Sequence, residues 1–192
     1  KNAMRYSKES LAAIPSWFSF QEDRYYHQGH AWAQPVGHNI IRVGIDDFAQ
    51  KLLGKPQAIQ LPQIGDKLSQ GDKGWLLIVD SKVIDMLSPV NGKVVQVNNR
   101  VQASPDIIKH DSYEDGWLFE VEVPKARTDL NNLLYGNMAK NWMNETVSLL
   151  RAKMSGELGL VMQDGGVPVD GFAKSLSSDH WEDLAAEFLM TK

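Results

Sequence analysis

The chain has 192 residues, of which 43% are hydrophobic and 23% charged, and its formal net charge is -4. This composition predicts a globular protein of one or two domains and excludes disorder throughout. The chain shows no overall basic character for binding nucleic acid, no apolar run of the roughly 18–20 residues that span a bilayer, and no cysteine for disulfides or thiolate metal sites. We therefore expect a cytoplasmic protein that binds neither nucleic acid nor a membrane.

The first 24 residues are interpreted as an N-terminal extension, in which residues 1–3 precede Met4 and look like a cloning remnant. From about residue 25 to 124, short apolar runs alternate with Gly, Asn, Asp and Pro, which predicts a compact, mostly antiparallel β domain. The clearest strand is 117–123, because its residues alternate strictly between an apolar and an acidic face. Its apolar face would consist of Trp117, Phe119, Val121 and Val123, opposite Glu120 and Glu122.

Shorter strand faces and one helix are predicted within the same span. Three short strands are predicted, each with one apolar face: Ile41, Val43 and Ile45 in the first, Ile59 and Leu61 in the second, and Val95 and Val97 in the third. Between two of these strands, Asp46 can cap a helix N-terminus and Gly54 can take the left-handed conformation that ends a helix. A short helix that buries Phe48 and Leu52 fits this interval.

After residue 124 the pattern becomes helical. An apolar residue recurs at every fourth position, and this predicts a helix, broken at Gly136, that packs on the β domain through Leu130, Leu134, Met138 and Trp142. Val147, Leu150 and Met154 continue the apolar content, and the glycine-rich residues 163–171 predict tight turns. A last helix is predicted near residues 181–190, with Trp181, Leu184, Ala185 and Phe188 at helical spacing and the preceding serines or Asp179 as N-cap.

Four stretches, in order, resemble the glycine cleavage H-protein family. They are His30 and Trp32; residues 43–54 with 61–65; residues 88–92 with 94–98; and residues 104–105 through 111–117. The similarity runs from about residue 25 to 144 and does not reach residues 155–192. We therefore divide the chain into the extension 1–24, an H-protein-like lipoyl-type domain at 25–145 and a C-terminal helical extension at 146–192.

The resemblance implies a mainly β fold with helices: a lipoyl/biotinyl-like flattened β barrel, also called a hammerhead or barrel-sandwich hybrid, followed by C-terminal helices. It also implies a non-enzymatic carrier, in which lipoate is joined by an amide to one lysine at a hairpin tip. Such an arm carries an aminomethyl group between partner enzymes, and tethering gives it a high effective concentration at each partner.

The chain departs from the family at the attachment site. A gap-free alignment of residues 71–90 places Ser81 at the position of the lipoyl lysine and Ile78 at that of the family's glutamate. Asp80 and Ser81 are the best turn formers of the hairpin at 77–87, so they should occupy its tip. Lys82 would then begin the returning strand, and a shift of one residue re-aims a strand side chain. A β-bulge could restore the lysine to the tip.

Two functional hypotheses follow. The leading hypothesis is a carrier-like interaction module that is not lipoylated at Ser81, carries no cofactor and binds proteins, such as glycine cleavage enzymes or other lipoate-linked enzymes. The alternative is an active swinging-arm carrier with lipoate on Lys82. His27, His30 and His38 lack a recognised metal-ligand spacing, and Ser81 lacks a nucleophile motif. We expect neither a metal site nor catalysis.

Overall fold

The computed structural model describes residues 17–154 and 168–192. The strands are β1 (Tyr25–His27), β2 (Ala31–Gly37), β3 (Ile40–Ile45), β4 (Ala58–Gln60), β5 (Lys67–Leu68), β6 (Lys73–Val79), β7 (Lys82–Leu87), β8 (Gly92–Val97) and β9 (Phe119–Glu122). The helices are α1 (Asp47–Leu53), α2 (Asn99–Ala103), α3 (Ile107–His110), α4 (Ala126–Asn131), α5 (Asn137–Met154), α6 (Phe172–Leu176) and α7 (Trp181–Phe188).

Two antiparallel sheets enclose the core, which confirms the predicted β fold with helices. The larger sheet has the strand order β1-β2-β3-β9-β8-β5, and the smaller has the order β4-β6-β7. Side chains from the inner faces of both sheets meet, as when the Trp75 and Phe119 rings pack edge to face with centroids 5.4 Å apart. The smaller sheet consists mainly of the β6–β7 hairpin, which pairs with the short strand β4.

The helix α1 forms where the cap residues predict it. Asp46 precedes it and accepts a hydrogen bond from the Ala49 N–H at 2.8 Å, while Gly54 ends it with φ of 79°. Phe48 and Leu52 are fully buried, as expected. The predicted strand at 117–123 is also confirmed over Phe119–Glu122, with Phe119 and Val121 buried and Glu122 exposed.

The predicted face at Val95 and Val97 is wrong. Val94 lies in the core, whereas Val95 is 38% exposed and Val97 is only half-buried. The pairing of β8 with β9 shifts register between Val94 and Gln96. This bulge breaks the two-residue alternation on which the prediction depended.

The helix break at Gly136 is confirmed, but the packing stripe is wrong in part. Gly136 has φ of 60° and directly precedes α5. However, α4 already ends at Asn131, and Leu134, which the prediction placed in the helix, forms a β-bridge with Tyr26. Met138 is 67% exposed, because α5 restarts after the break with a different face toward the core. The residues of α5 that are buried are Ala139, Met143, Thr146, Val147, Leu150 and Met154.

Residues 168–192 pack into the same core as the β domain. The Phe172 and Phe188 rings lie 5.6 and 5.3 Å from the Phe48 ring of α1, and the Gly171 N–H donates to the Lys51 carbonyl at 2.7 Å. The helix α7 forms as predicted, but its N-cap is His180, without a side-chain hydrogen bond, instead of Asp179 or a serine. Of the glycine-rich residues, 163–167 lie outside the described part of the chain.

Candidate functional site

The β6–β7 hairpin places Asp80 and Ser81 at its tip. The register pairs Val79 with Lys82, so two residues remain for the turn. Asp80 and Ser81 have φ values of 47° and 62°, the pair of positive angles that defines the type I′ hairpin turn. This turn follows the right-handed twist of the strands, and it needs no bulge between Ile78 and Val83. The turn prediction is therefore confirmed.

Ser81 is exposed and its backbone is anchored. Its N–H donates to the Gln57 Oε1 at 2.8 Å, which ties the turn to the residue just before β4. The Ser81 side chain carries a hydroxyl group, whereas an amide-linked lipoyl group requires an amine. The residue at the tip therefore does not fit the attachment chemistry that the resemblance implies.

Lys82 is the first residue of β7 and lies beside α7. Its Nζ is 3.8 Å from the Glu182 Oε1, and its side chain remains 53% exposed. Glu182 is the more enclosed partner, because its second oxygen, Oε2, is buried without a hydrogen-bond partner among the described residues. The Lys82 ammonium therefore lies near the first turn of α7.

A second ion pair holds the other side of the turn. The Asp80 Oδ2 lies 2.5 Å from the Lys174 Nζ, and the same ammonium lies 5.4 Å from the centre of the Trp181 ring. Sequence reasoning missed Lys174 and Glu182 as neighbours of the hairpin. No local pattern could identify them, because the contacts depend on how residues 168–192 fold back over the β domain.

His30 and Trp32 of the motif in β1–β2 serve packing. The His30 Nδ1 lies 2.7 Å from the Asp46 Oδ2, and both side chains are buried. The His30 ring lies between those of Phe48 and Trp142, at 4.4 and 4.8 Å. Trp32 is fully buried and donates from its indole N–H to the Ser112 carbonyl at 3.0 Å. These contacts join the β1–β2 turn to the cap of α1 and to α5.

The histidines do not assemble a metal centre. His27 accepts a hydrogen bond from the Gly29 N–H at its Nδ1, 2.9 Å away, and His38 is exposed at the turn between β2 and β3. Burial lowers the pKa of His27 below its ordinary value, and the nearby His30 lowers it further. Within residues 17–154 and 168–192, no three His, Asp or Glu side chains lie together in a way that could hold a metal ion.

Burial also shifts the pKa values of Tyr26, Tyr113 and Lys109. Desolvation raises the pKa of Tyr26 and of Tyr113, so both phenols stay neutral. Lys109 has a lowered pKa because it is partly desolvated, although its hydrogen bond to Asp170 opposes that effect. Lys109 also donates to the Gln50 carbonyl at 2.8 Å, and so links α1 to the start of the C-terminal segment.

The β domain and its hairpin lie in the part of the chain that resembles known proteins. The family model described as "Glycine cleavage H-protein" matches residues 24–146. The chain belongs to this family. Its members are non-catalytic carriers of a lipoyl group, so this family member is not an enzyme.

Individual relatives agree with this assignment. A probable glycine cleavage system H protein of Natronomonas pharaonis is 39% identical over 105 residues, which are 55% of this chain and 82% of the relative. The H protein of Alteromonas mediterranea is 34% identical over 123 residues, which are 64% of this chain and 95% of the relative. The crystal structure of an H protein from Mycobacterium marinum is 31% identical, covers 55% of this chain and 87% of its own, and has a TM-score of 0.51.

The family match ends at residue 146, so residues 168–192 add a feature to the matched domain. Across the described ranges, none of the helices combines the length and the apolar character needed to cross a membrane. The division of the chain at residues 145 and 146 stays a prediction.

Proposed function

We propose that this H-protein family member is a cytoplasmic protein-binding module whose hairpin tip carries no lipoate. One observation carries the proposal: Ser81 occupies the tip of a regular two-residue turn. The tip is where the family resemblance requires a lysine, and a hydroxyl cannot form the amide. The hairpin would then act as a fixed recognition element for a protein partner, such as a glycine cleavage enzyme or another lipoate-linked enzyme.

The turn geometry supports this proposal over a displaced attachment site. A type I′ turn of two residues leaves Lys82 within the ladder, paired with Val79. The lysine therefore leaves the domain from a strand beside α7 and not from the tip. Its neighbour Glu182 provides an opposite charge at 3.8 Å, which favours an orientation along the helix.

A second candidate function is an active carrier with lipoate on Lys82. The observation that favours it is the exposure of the Lys82 side chain, 53%, which leaves the ammonium accessible to solvent. An exposed ion pair contributes only about 0–1 kcal/mol, so Glu182 alone would not prevent Lys82 from reacting. The two candidates differ in whether a ligase accepts a lysine one residue past the tip.

The intact mass of the protein separates the two candidates. The wild type is expressed with a lipoate–protein ligase and lipoic acid, beside a Ser81→Lys, Lys82→Val variant and an active H protein that reports on the ligase. We expect no lipoyl increment on the wild type and an increment on the double variant, in which the lysine stands at the tip. An increment on wild-type Lys82, located by peptide mapping, would establish the carrier function and overturn the proposal.

A further inference from the structure

We propose that residues 168–192 cover a protein-docking face along β7, beside the exposed hairpin tip, and that a protein partner which binds this face must first displace them. The inference rests on the proposed function, which makes the hairpin a recognition element. It concerns the surface beside the tip and the kind of partner that fits it.

Buried aromatic side chains hold the segment in place. Phe172 is fully buried, and Trp181 and Phe188 are 5% and 8% exposed. Phe172 and Phe188 pack on Phe48 of α1, and α7 lies against β7. Because these anchors are apolar and enclosed, the segment is a specific cover and not a loosely attached tail.

Charged side chains of the segment hold the residues on both sides of Ser81. Lys174 pairs with Asp80 at 2.5 Å, and Glu182 pairs with Lys82 at 3.8 Å. On the opposite side, the Gln57 side chain accepts the Ser81 N–H. The turn is thus held by β4's neighbour Gln57 and by residues 168–192, and α7 lies against β7.

The covered strand is the edge of its sheet. In the order β4-β6-β7, only one side of β7 is paired with a described strand. An unpaired edge is a template for pairing with another chain, and natural proteins often protect such an edge with a helix. The helix α7 lies against this strand, so we expect its removal to make β7 more accessible to another chain.

The cover also indicates what kind of partner fits. It presents a basic group, Lys174, to Asp80 and an acidic group, Glu182, to Lys82, and the Lys174 ammonium also lies over the Trp181 ring. A competing protein would present the same combination: a cation that pairs with Asp80, a carboxylate that pairs with Lys82, and an aromatic ring beside the cation. Val83, which is 59% exposed, extends this face with an apolar contact.

A lipoate–protein ligase is a suitable probe, because it must reach a lysine at the tip. In its reaction the lysine Nζ attacks the carbonyl carbon of lipoyl adenylate, an amide bond forms, and AMP and a proton leave. In full-length protein, Ser81→Lys supplies the tip lysine. Initial rates are compared for Ser81→Lys alone and for Ser81→Lys with Trp181→Ala, and peptide mapping assigns the increment to position 81.

The matched control is Ser81→Lys with Tyr135→Ala. That change also removes an aromatic ring, but Tyr135 stacks on Tyr25, on a part of the domain away from the hairpin. Amide hydrogen exchange in β7 reports whether the cover has opened. Acetylation by a small amine-reactive ester reports whether the tip lysine itself has changed, because such a reagent does not grip the hairpin.

In the Ser81→Lys background, we expect Trp181→Ala to raise the ligase rate at least fivefold and to speed amide exchange in β7. We expect the ligase rate with Tyr135→Ala, and the acetylation rate of every variant, to stay within twofold of the values for Ser81→Lys alone. If Trp181→Ala fails to fold, the double change Lys174→Glu with Glu182→Lys replaces it. This change keeps the aromatic anchors and should raise the ligase rate at least twofold over Ser81→Lys alone. Equal ligase rates for Ser81→Lys with and without the opening substitutions would overturn the inference. It would also be overturned if none of these variants gained a lipoyl increment while an active H protein in the same assay did. Neither result bears on wild-type Lys82, so the proposed function is judged separately.

Discussion

Lys82 and Glu182 form an ion pair with 3.8 Å between Nζ and Oε1, although one begins the second strand of the hairpin and the other lies in the first turn of the last long helix. The contact connects the part of the chain that matches the H-protein family with a segment outside the match. It also accounts for the direction of the only lysine within two residues of the tip. The hairpin of this protein is therefore best understood together with its C-terminal cover.

Ser81 tests the turn geometry. It has φ of 62°, a left-handed conformation that costs a non-glycine residue about 1–2 kcal/mol. Ser81→Gly removes that strain but also gives the unfolded chain more freedom, so we expect a net stabilisation of about 0.5 kcal/mol. Chemical denaturation measures it. Ser148→Gly, in the exposed face of α5, is the control and should destabilise by about 0.5 kcal/mol; destabilisation at both positions would contradict a left-handed Ser81.

Gly44 tests the close packing of β3 on Trp32. A Cβ at Gly44 would lie 2.3 Å from the Cε2 and Cζ2 atoms of the fully buried Trp32 ring. Neither side can move freely, so Gly44→Ala should lower the free energy of unfolding by about 2–3 kcal/mol. At Gly37 the nearest atom to a new Cβ would be 3.9 Å away. Gly37→Ala should therefore leave the denaturation midpoint nearly unchanged, and equal effects at the two glycines would refute this packing.

Trp142 tests how α5 docks. Its ring is half-buried, 4.8 Å from that of His30 and 6.0 Å from that of Tyr26. Trp142→Ala should cost about 3 kcal/mol, the low end of the range for buried aromatic truncations, because part of the ring already meets solvent. Met138→Ala, at a position 67% exposed on the same helix, should change stability by less than about 0.5 kcal/mol. A midpoint unmoved by Trp142→Ala would show that the ring does not hold the helix.

His27 tests the effect of burial on a titratable group. Its pKa is lowered in the folded protein from an ordinary value of 6.5, chiefly by desolvation, so below that value the unfolded chain binds the proton more readily. Stability should therefore fall as the pH decreases through 6.5 toward the folded pKa, and be regained on return to neutral pH. His27→Gln should reduce this dependence in denaturation curves, whereas His38→Gln, at an exposed site, should preserve it. An identical pH profile for wild type and His27→Gln would refute the assignment.

Much of the domain could be predicted from the sequence, because its determinants are local. Strict alternation in β9, the Asp46 cap, the Gly136 break and the Asp80-Ser81 turn are each specified within a few residues, and each lies where the pattern indicates. The alignment of Ser81 with the family's lysine also rests on the order of residues alone, and it stays a prediction. Two predictions from local patterns were wrong. The bulge in β8 exposes Val95, and the break before α5 leaves Met138 exposed to solvent.

Only the tertiary structure decided what surrounds the hairpin. Asp80 and Lys174, and Lys82 and Glu182, are far apart in the chain and carry no shared pattern, so their pairing follows from the burial of Phe172, Trp181 and Phe188 against the domain. The same holds for the buried pair of His30 and Asp46, which meets because β2 and α1 converge. A sequence determines local geometry through steric and hydrogen-bond preferences of neighbouring residues. Which distant side chains meet depends on how apolar surfaces pack, and that is settled by the fold as a whole.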